Sequence, residues 1–182
     1  MFGIVFKPTA IHNFFGLRMS MLVDTRMPLE SLIGSHSNKL MSKLKTRTAE
    51  GRVQLLDEFL LGKVDQAKAR LSIVDEAVDF IDCKKGLVTI DEVAEKFGIS
   101  RRYLEKHFLE KVGISPKLYC RLKRFVMLSL ALVYENNCDW QDLVEKAGLH
   151  DQSHLIKEFL EFDKATPMEY FKNHKEMTRF LK

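Results

Sequence analysis

The sequence predicts a mainly α chain: two helix-turn-helix subdomains joined by a long central helix, preceded by a small α/β or irregular N-terminal segment. Three observations lead there. From about Arg52 onward, apolar residues recur at helical spacing: Leu55, Leu56, Phe59, Leu60 and Val64, then Ile73, Val74, Val78 and Ile81. The C-terminal half contains an internal repeat of short helix, glycine turn and second helix. Between the two copies, Ser115 to about Asn136 is long enough for a single helix of roughly 30 Å.

The elements follow in order. Phe2, Ile4 and Phe6 alternate with Gly3 and Lys7 until Pro8, which predicts a short strand. His12 to Met21 is mixed in pattern. Pro28, Gly34 and the polar stretch 35–39 punctuate short helices, and a linker is expected near 62–66 or 84–88. Cys83-Lys84-Lys85-Gly86 suits a helix C-terminus, with cations at the negative end of the dipole and a glycine to cap it.

The repeat carries most of the inference. Ile90-DEVAEK-Phe97-Gly98 is echoed by Trp140-QDLVEK-Ala147-Gly148 at an offset of 50. Beyond the turn the offset becomes 51: Leu104, Lys106 and Phe108 answer Leu155, Lys157 and Phe159, and Ser115-Pro116 and Tyr119 answer Thr166-Pro167 and Tyr170. Ser115 and Thr166 read as N-caps with proline at the first helical position. The offset changes inside a turn, where an insertion is tolerated best. A short helix, a glycine-containing turn and a second helix make a helix-turn-helix.

Over roughly residues 80–172 the chain resembles the AraC/XylS family of transcriptional regulators. The first copy matches through Ala94, Gly98, Ile99-Ser100, Tyr103-Leu104, Phe108, Gly113, Ser115-Pro116 and Tyr119. The second matches through Ala147-Gly148, Asp151-Gln152-Ser153-His154, Phe159, Phe162, Thr166-Pro167 and Tyr170. Two positions depart: Leu149 stands where the family has an aromatic, and Lys164 where it has glycine. The resemblance implies an AraC-type DNA-binding domain over 65–175, with the first helix-turn-helix at about 65–113, the linking helix at about 115–136 and the second at about 138–175. Residues 1–64 are then a sensor-domain remnant and linker helix, left from a shortened or fragmentary regulator.

The resemblance also assigns roles. A recognition helix enters the major groove with its N-terminal residues toward the base edges. Ser100 caps the first such helix. Arg102, Glu105 and Lys106 face bases, and Arg101 faces phosphate. In the second helix Gln152, Ser153, Ile156 and Lys157 take corresponding places, glutamine suiting adenine and isoleucine a thymine methyl. Lys117, Arg121, Lys123 and Arg124 are expected phosphate contacts. The expected partner is double-stranded DNA, read in successive major grooves about 34 Å apart. RNA polymerase contact, a homodimer, an activator role, bacterial origin and an effector of unknown identity complete what the resemblance implies.

Charge supports this. The chain's net charge is only +4, yet residues 96–124 hold nine cations against two acids, whereas 135–169 hold nine acids against three lysines. Because neutralised phosphates supply much of the affinity for DNA, the first copy is expected to be the main anchor.

Other chemistry finds less support. Cys83, Cys120 and Cys138 form no CxxC or Cys/His pair, which argues against a zinc ribbon or disulfide framework and for a reducing compartment. Their spacing also disfavours an Ada-type methyl-acceptor repair regulator, so no enzymatic activity and no cofactor are expected. His150 and His154 are four apart but lack a third ligand. No stretch reaches the ~20 apolar residues of a membrane span, and MFGIVFKPTA does not read as a secretory leader, so a cytoplasmic protein without membrane contact is expected. The remaining alternative is a helical protein-interaction module, favoured by the acidic second copy and by the apolar run Val126–Val133, which reads as a helix buried between subdomains.

Overall fold

A computed structural model describes residues 3–134, 144–145, 148 and 152–178. The described residues are helical and contain no strand. The helices are α1 (Ala10–Phe15), α2 (Leu29–Ile33), α3 (His36–Lys45), α4 (Ala49–Leu61), α5 (Val64–Lys68), α6 (Ile73–Cys83), α7 (Ile90–Lys96), α8 (Arg101–Val112), α9 (Pro116–Tyr134), α10 (Gln152–Phe162) and α11 (Pro167–Thr178), with a 3-10 turn at Met19–Met21. The chain divides into two compact units, Met1–Val78 with Ala94–Pro116, and Asp79–Val93 with Lys117–Lys182.

In the first unit the expected strand is absent: residues 3–7 have no regular structure. A strand needs a neighbour to take up its backbone groups, and none is present among the described residues. Of the alternating residues described, Ile4 is exposed and only Phe6 turns inward. Val5 is 99% exposed, while Phe6 turns inward and packs on Phe14 and Phe15 with ring centroids 6.4–6.5 Å apart. The polar stretch 35–39 is also no loop, since all but Ser35 belong to α3. Helix α1 packs on α5 and α8. The 3-10 turn lies against the end of α8, where Gly113 (φ 95) leaves no room for a side chain: a Cβ there would stand 2.8 Å from the Met19 carbonyl oxygen.

The second unit is built on α9. Leu128 and Leu132 on that helix and Leu155 and Phe159 on α10 form its core, with Phe125, Met127, Ala131, Val144 and Tyr170 packed around them. The long helix is not buried all round, as its apolar run suggested. Val126 and Leu130, four apart, are about half exposed, so α9 buries only one stripe. Gly86 ends the turn after α6, with φ 76 and its N–H donating to the Ile81 carbonyl. A Cβ at Gly86 would collide with the Cys120 carbonyl.

Local capping explains where the helices begin. Thr89 and Glu92 form a reciprocal capping box at α7, and Thr166 and Glu169 form another at α11, with Pro167 in the first helical position as expected. In both boxes the hydrogen bond from the cap backbone N–H, more than any other interaction, holds the glutamate below its ordinary value.

Candidate nucleic-acid interface

Two helices present the predicted reading residues. Helix α8 starts on Ser100, whose Oγ accepts a hydrogen bond from the Tyr103 N–H at 3.1 Å. Before it, Gly98 adopts φ 62, its N–H donating to the Glu95 carbonyl and that of Ile99 to the Ala94 carbonyl. These bonds close the turn after α7 and fix the direction in which α8 sets out. Gly148 repeats the local geometry at an offset of 50, with φ 60 and its N–H donating to the Glu145 carbonyl.

Each helix divides sharply into two faces. Leu104, Phe108 and Lys111 turn inward on α8, whereas Arg101, Arg102, Glu105, Lys106 and Leu109 are exposed. On α10 the inward set is Leu155, Glu158 and Phe159, and the outward set is Gln152, Ser153, Ile156, Lys157 and Leu160. The offset of 51 maps inward Leu104 and Phe108 onto inward Leu155 and Phe159. It also maps outward Arg102, Glu105 and Lys106 onto outward Ser153, Ile156 and Lys157. Among the described residues, Arg102, Glu105, Lys106 and Lys157 are in no ion pair. Their side chains remain available to a partner. Leu109 and Leu160 lie seven residues beyond Arg102 and Ser153 and extend the outward stripe with apolar surface; the same helical spacing marks them in the sequence.

The inward faces carry charge that sequence reasoning missed. Lys111 is buried, and its Nζ donates to Asp75 Oδ2 at 2.6 Å, the Asn13 side-chain oxygen at 3.1 Å and the Arg70 carbonyl at 2.5 Å. All three donor hydrogens of the ammonium are thereby used. Asp75 also accepts from the Asn13 amide at 2.6 Å and the Ser72 N–H at 2.8 Å. Burial pushes the Asp75 carboxyl upward, but the bonds from Lys111, Asn13, Thr9 and Ser72 together outweigh it and hold the group below its ordinary value. The cluster fastens α8 to α6 and α1. Its signal in the sequence is a lysine at an inward helical position, three residues after Phe108.

In the second unit the polarity is reversed. Glu158, buried on α10, accepts from Arg121 Nε at 3.3 Å and Arg124 Nη2 at 3.2 Å through one carboxylate oxygen. Arg121 also forks onto Glu161 at 3.0 and 2.5 Å and lies over the Phe162 ring, 5.2 Å from its centroid. Lys123 pairs with Asp82 at 2.8 Å, and the Tyr119 hydroxyl donates to the same carboxylate oxygen.

Of the four residues expected to meet phosphate, Arg121, Lys123 and Arg124 are therefore held in ion pairs within their own unit, and Lys117 is exposed. The positive excess counted over 96–124 shrinks accordingly, since Lys111 is neutralised as well. Helix α9 starts at Pro116, directly after Ser115, as expected. Asp151, His150, Leu149 and Cys138 lie outside the described residues, as does most of the first helix expected in the second copy.

Lys164, which stands where glycine was expected, takes the glycine's left-handed conformation with φ 61. Its Nζ donates to the Glu161 carbonyl at 3.0 Å. Cys120 is buried and free, and burial pushes its thiol up to about 11, which keeps it protonated and unreactive at neutral pH. No helix among the described residues is long and apolar enough to cross a membrane.

Compared with known families, residues 93–173 match a helix-turn-helix domain, of the AraC type. The matched stretch includes all of α8 and α10. No curated protein is significantly similar to the chain. The match supports a DNA-binding domain of AraC-like kind over these residues.

Proposed function

We propose that the protein is a sequence-specific transcriptional regulator that sets α8 and α10 into successive major grooves of double-stranded DNA. The observation that carries this is the outward stripe of α8, where Arg102, Glu105 and Lys106 stand exposed on a helix whose opposite face is locked by buried Leu104, Phe108 and Lys111. Arg102 grips guanine, and Glu105 accepts from cytosine or excludes other bases. Arg101 and Lys117 meet phosphate. In α10, Gln152 and Ser153 contact base edges, Ile156 a thymine methyl, and Lys157 a phosphate or base.

In this reading Arg121 and Arg124 hold α10 in place, and the DNA anchor is smaller than charge counting suggested. Lys123 is divided in role, because its partner Asp82 is itself partly exposed. The test is selection of bound sequences from random duplexes, followed by gel shifts over a salt series. A selected motif whose affinity falls with salt supports the reading; no motif and no salt dependence refutes it. RNA polymerase contact, self-association and the direction of regulation belong to the same proposal, tested by reporter transcription and sedimentation.

A further inference from the structure

Away from the reading helices, the first unit holds a half-enclosed cavity of about 290 Å³. Phe6 and Phe15 wall it from the N-terminal segment, Leu32 and Ile33 from α2, and Leu40 and Phe59 from α3 and α4. Every other residue on the wall is leucine, isoleucine or glycine, so no side chain there carries a hydrogen-bonding atom. Water needs two to four polar partners to settle in such a space, and dry apolar cavities of roughly 150 Å³ take up benzene. Twice that volume matches two fused rings, on the order of ten to fourteen heavy atoms.

The dimensions and lining favour a small apolar occupant. A specific protein partner covers about 800 Å² on each side, whereas this space admits one or two side chains. A charged or strongly polar molecule would lose its hydration without recovering a hydrogen bond from these walls. His36, Lys39 and Lys43 line a separate groove, which shares Leu40 and Phe59 with the cavity and holds Glu58 as well.

We propose that this cavity is a binding site for a small, uncharged, apolar molecule about the size of two fused rings. The site belongs to the helical N-terminal segment and stands or falls independently of DNA binding.

The experiment uses the full chain and two probes. 1-Aminonaphthalene is titrated by fluorescence and displaced with naphthalene, in the wild type and in the cavity-filling variants Ile33→Trp and Leu40→Trp. Saturable binding at one site, weakened at least tenfold in a filled variant that keeps its helical circular dichroism, supports the proposal. Benzophenone photolabelling mapped by mass spectrometry needs no variant, and labels within 29–44 and 56–60 support it even if both variants fail to fold. The proposal is overturned by non-saturable binding, by equal binding in a folded filled variant, by labels confined to other segments, or by decanoate binding more tightly than naphthalene.

Discussion

Replacing Arg121 by alanine separates two roles that the same side chain has been given. As a phosphate contact, its loss lowers affinity evenly across sequences and reduces the salt slope of binding by about one. As a clasp on α10, its loss lowers stability instead. The magnitude follows from its partners. Glu161 is about half exposed, so that pair adds little to stability. Glu158 is 8% exposed, and fully breaking a buried pair costs about 3–5 kcal/mol. Arg124 still holds Glu158 at 3.2 Å, which leaves roughly half of that cost to Arg121. The cost is about 2 kcal/mol, equivalent to a fall in Tm of about 4–8 °C for a chain of this length.

Arg102→Ala provides the contrast. It is exposed and in no ion pair, so its loss changes stability by less than about 0.5 kcal/mol but weakens binding to the selected site by about 1–3 kcal/mol. Thermal melts and a gel-shift salt series on the two variants decide the matter. An Arg121→Ala protein with unchanged Tm and a salt slope shallower by about one refutes the clasp.

Four further outcomes are expected. Lys111→Met leaves Asp75 buried without its cation and destabilises by about 3–5 kcal/mol in denaturant unfolding. Because the Asp75 carboxyl lies below its ordinary value in the folded state, its contribution is present above the unfolded pKa and is lost as pH falls through the folded one; a wild-type stability decline below about pH 4 that is shallower in Asp75→Asn checks this. Lys164→Gly relieves the left-handed backbone and stabilises by about 1 kcal/mol, read as a raised Tm. Ser100→Ala removes the cap of α8 and costs about 1 kcal/mol in urea unfolding, with helical circular dichroism retained.

The sequence was most legible where structure repeats over short range. The offset of 51 between Leu104 and Leu155, and between Phe108 and Phe159, picks out residues that are fully buried on both helices. Caps at Ser100 and Thr166 were readable because cap and acceptor lie within one turn. Ion pairs were not. Arg121 finds its acids 37 and 40 residues away, so a count of charge along the chain treats both members as free. Lys111 hides in the same way, its partners Asp75 and Asn13 lying 36 and 98 residues away. The strand expected at Phe2–Lys7 failed for a complementary reason: alternation marks which side chains could share a face, and says nothing of whether a neighbouring strand exists.

The reversed polarity of the two buried clusters bears on how a chain with two similar helices folds without confusing them. Helices of like pattern invite misdocking, because α8 and α10 offer similar leucine and phenylalanine knobs to either seat. In the frame of the repeat, Lys111 corresponds to Phe162. Placed in the other seat, α8 would bring that lysine beside Arg121, whose guanidinium now lies over the Phe162 ring. The reverse exchange would set a phenyl ring against Asp75 and Asn13, leaving the carboxylate without its cation and the Asn13 side-chain oxygen without its donor. The apolar knobs make the two helices interchangeable, and the buried charges give each seat a key that only its own helix turns.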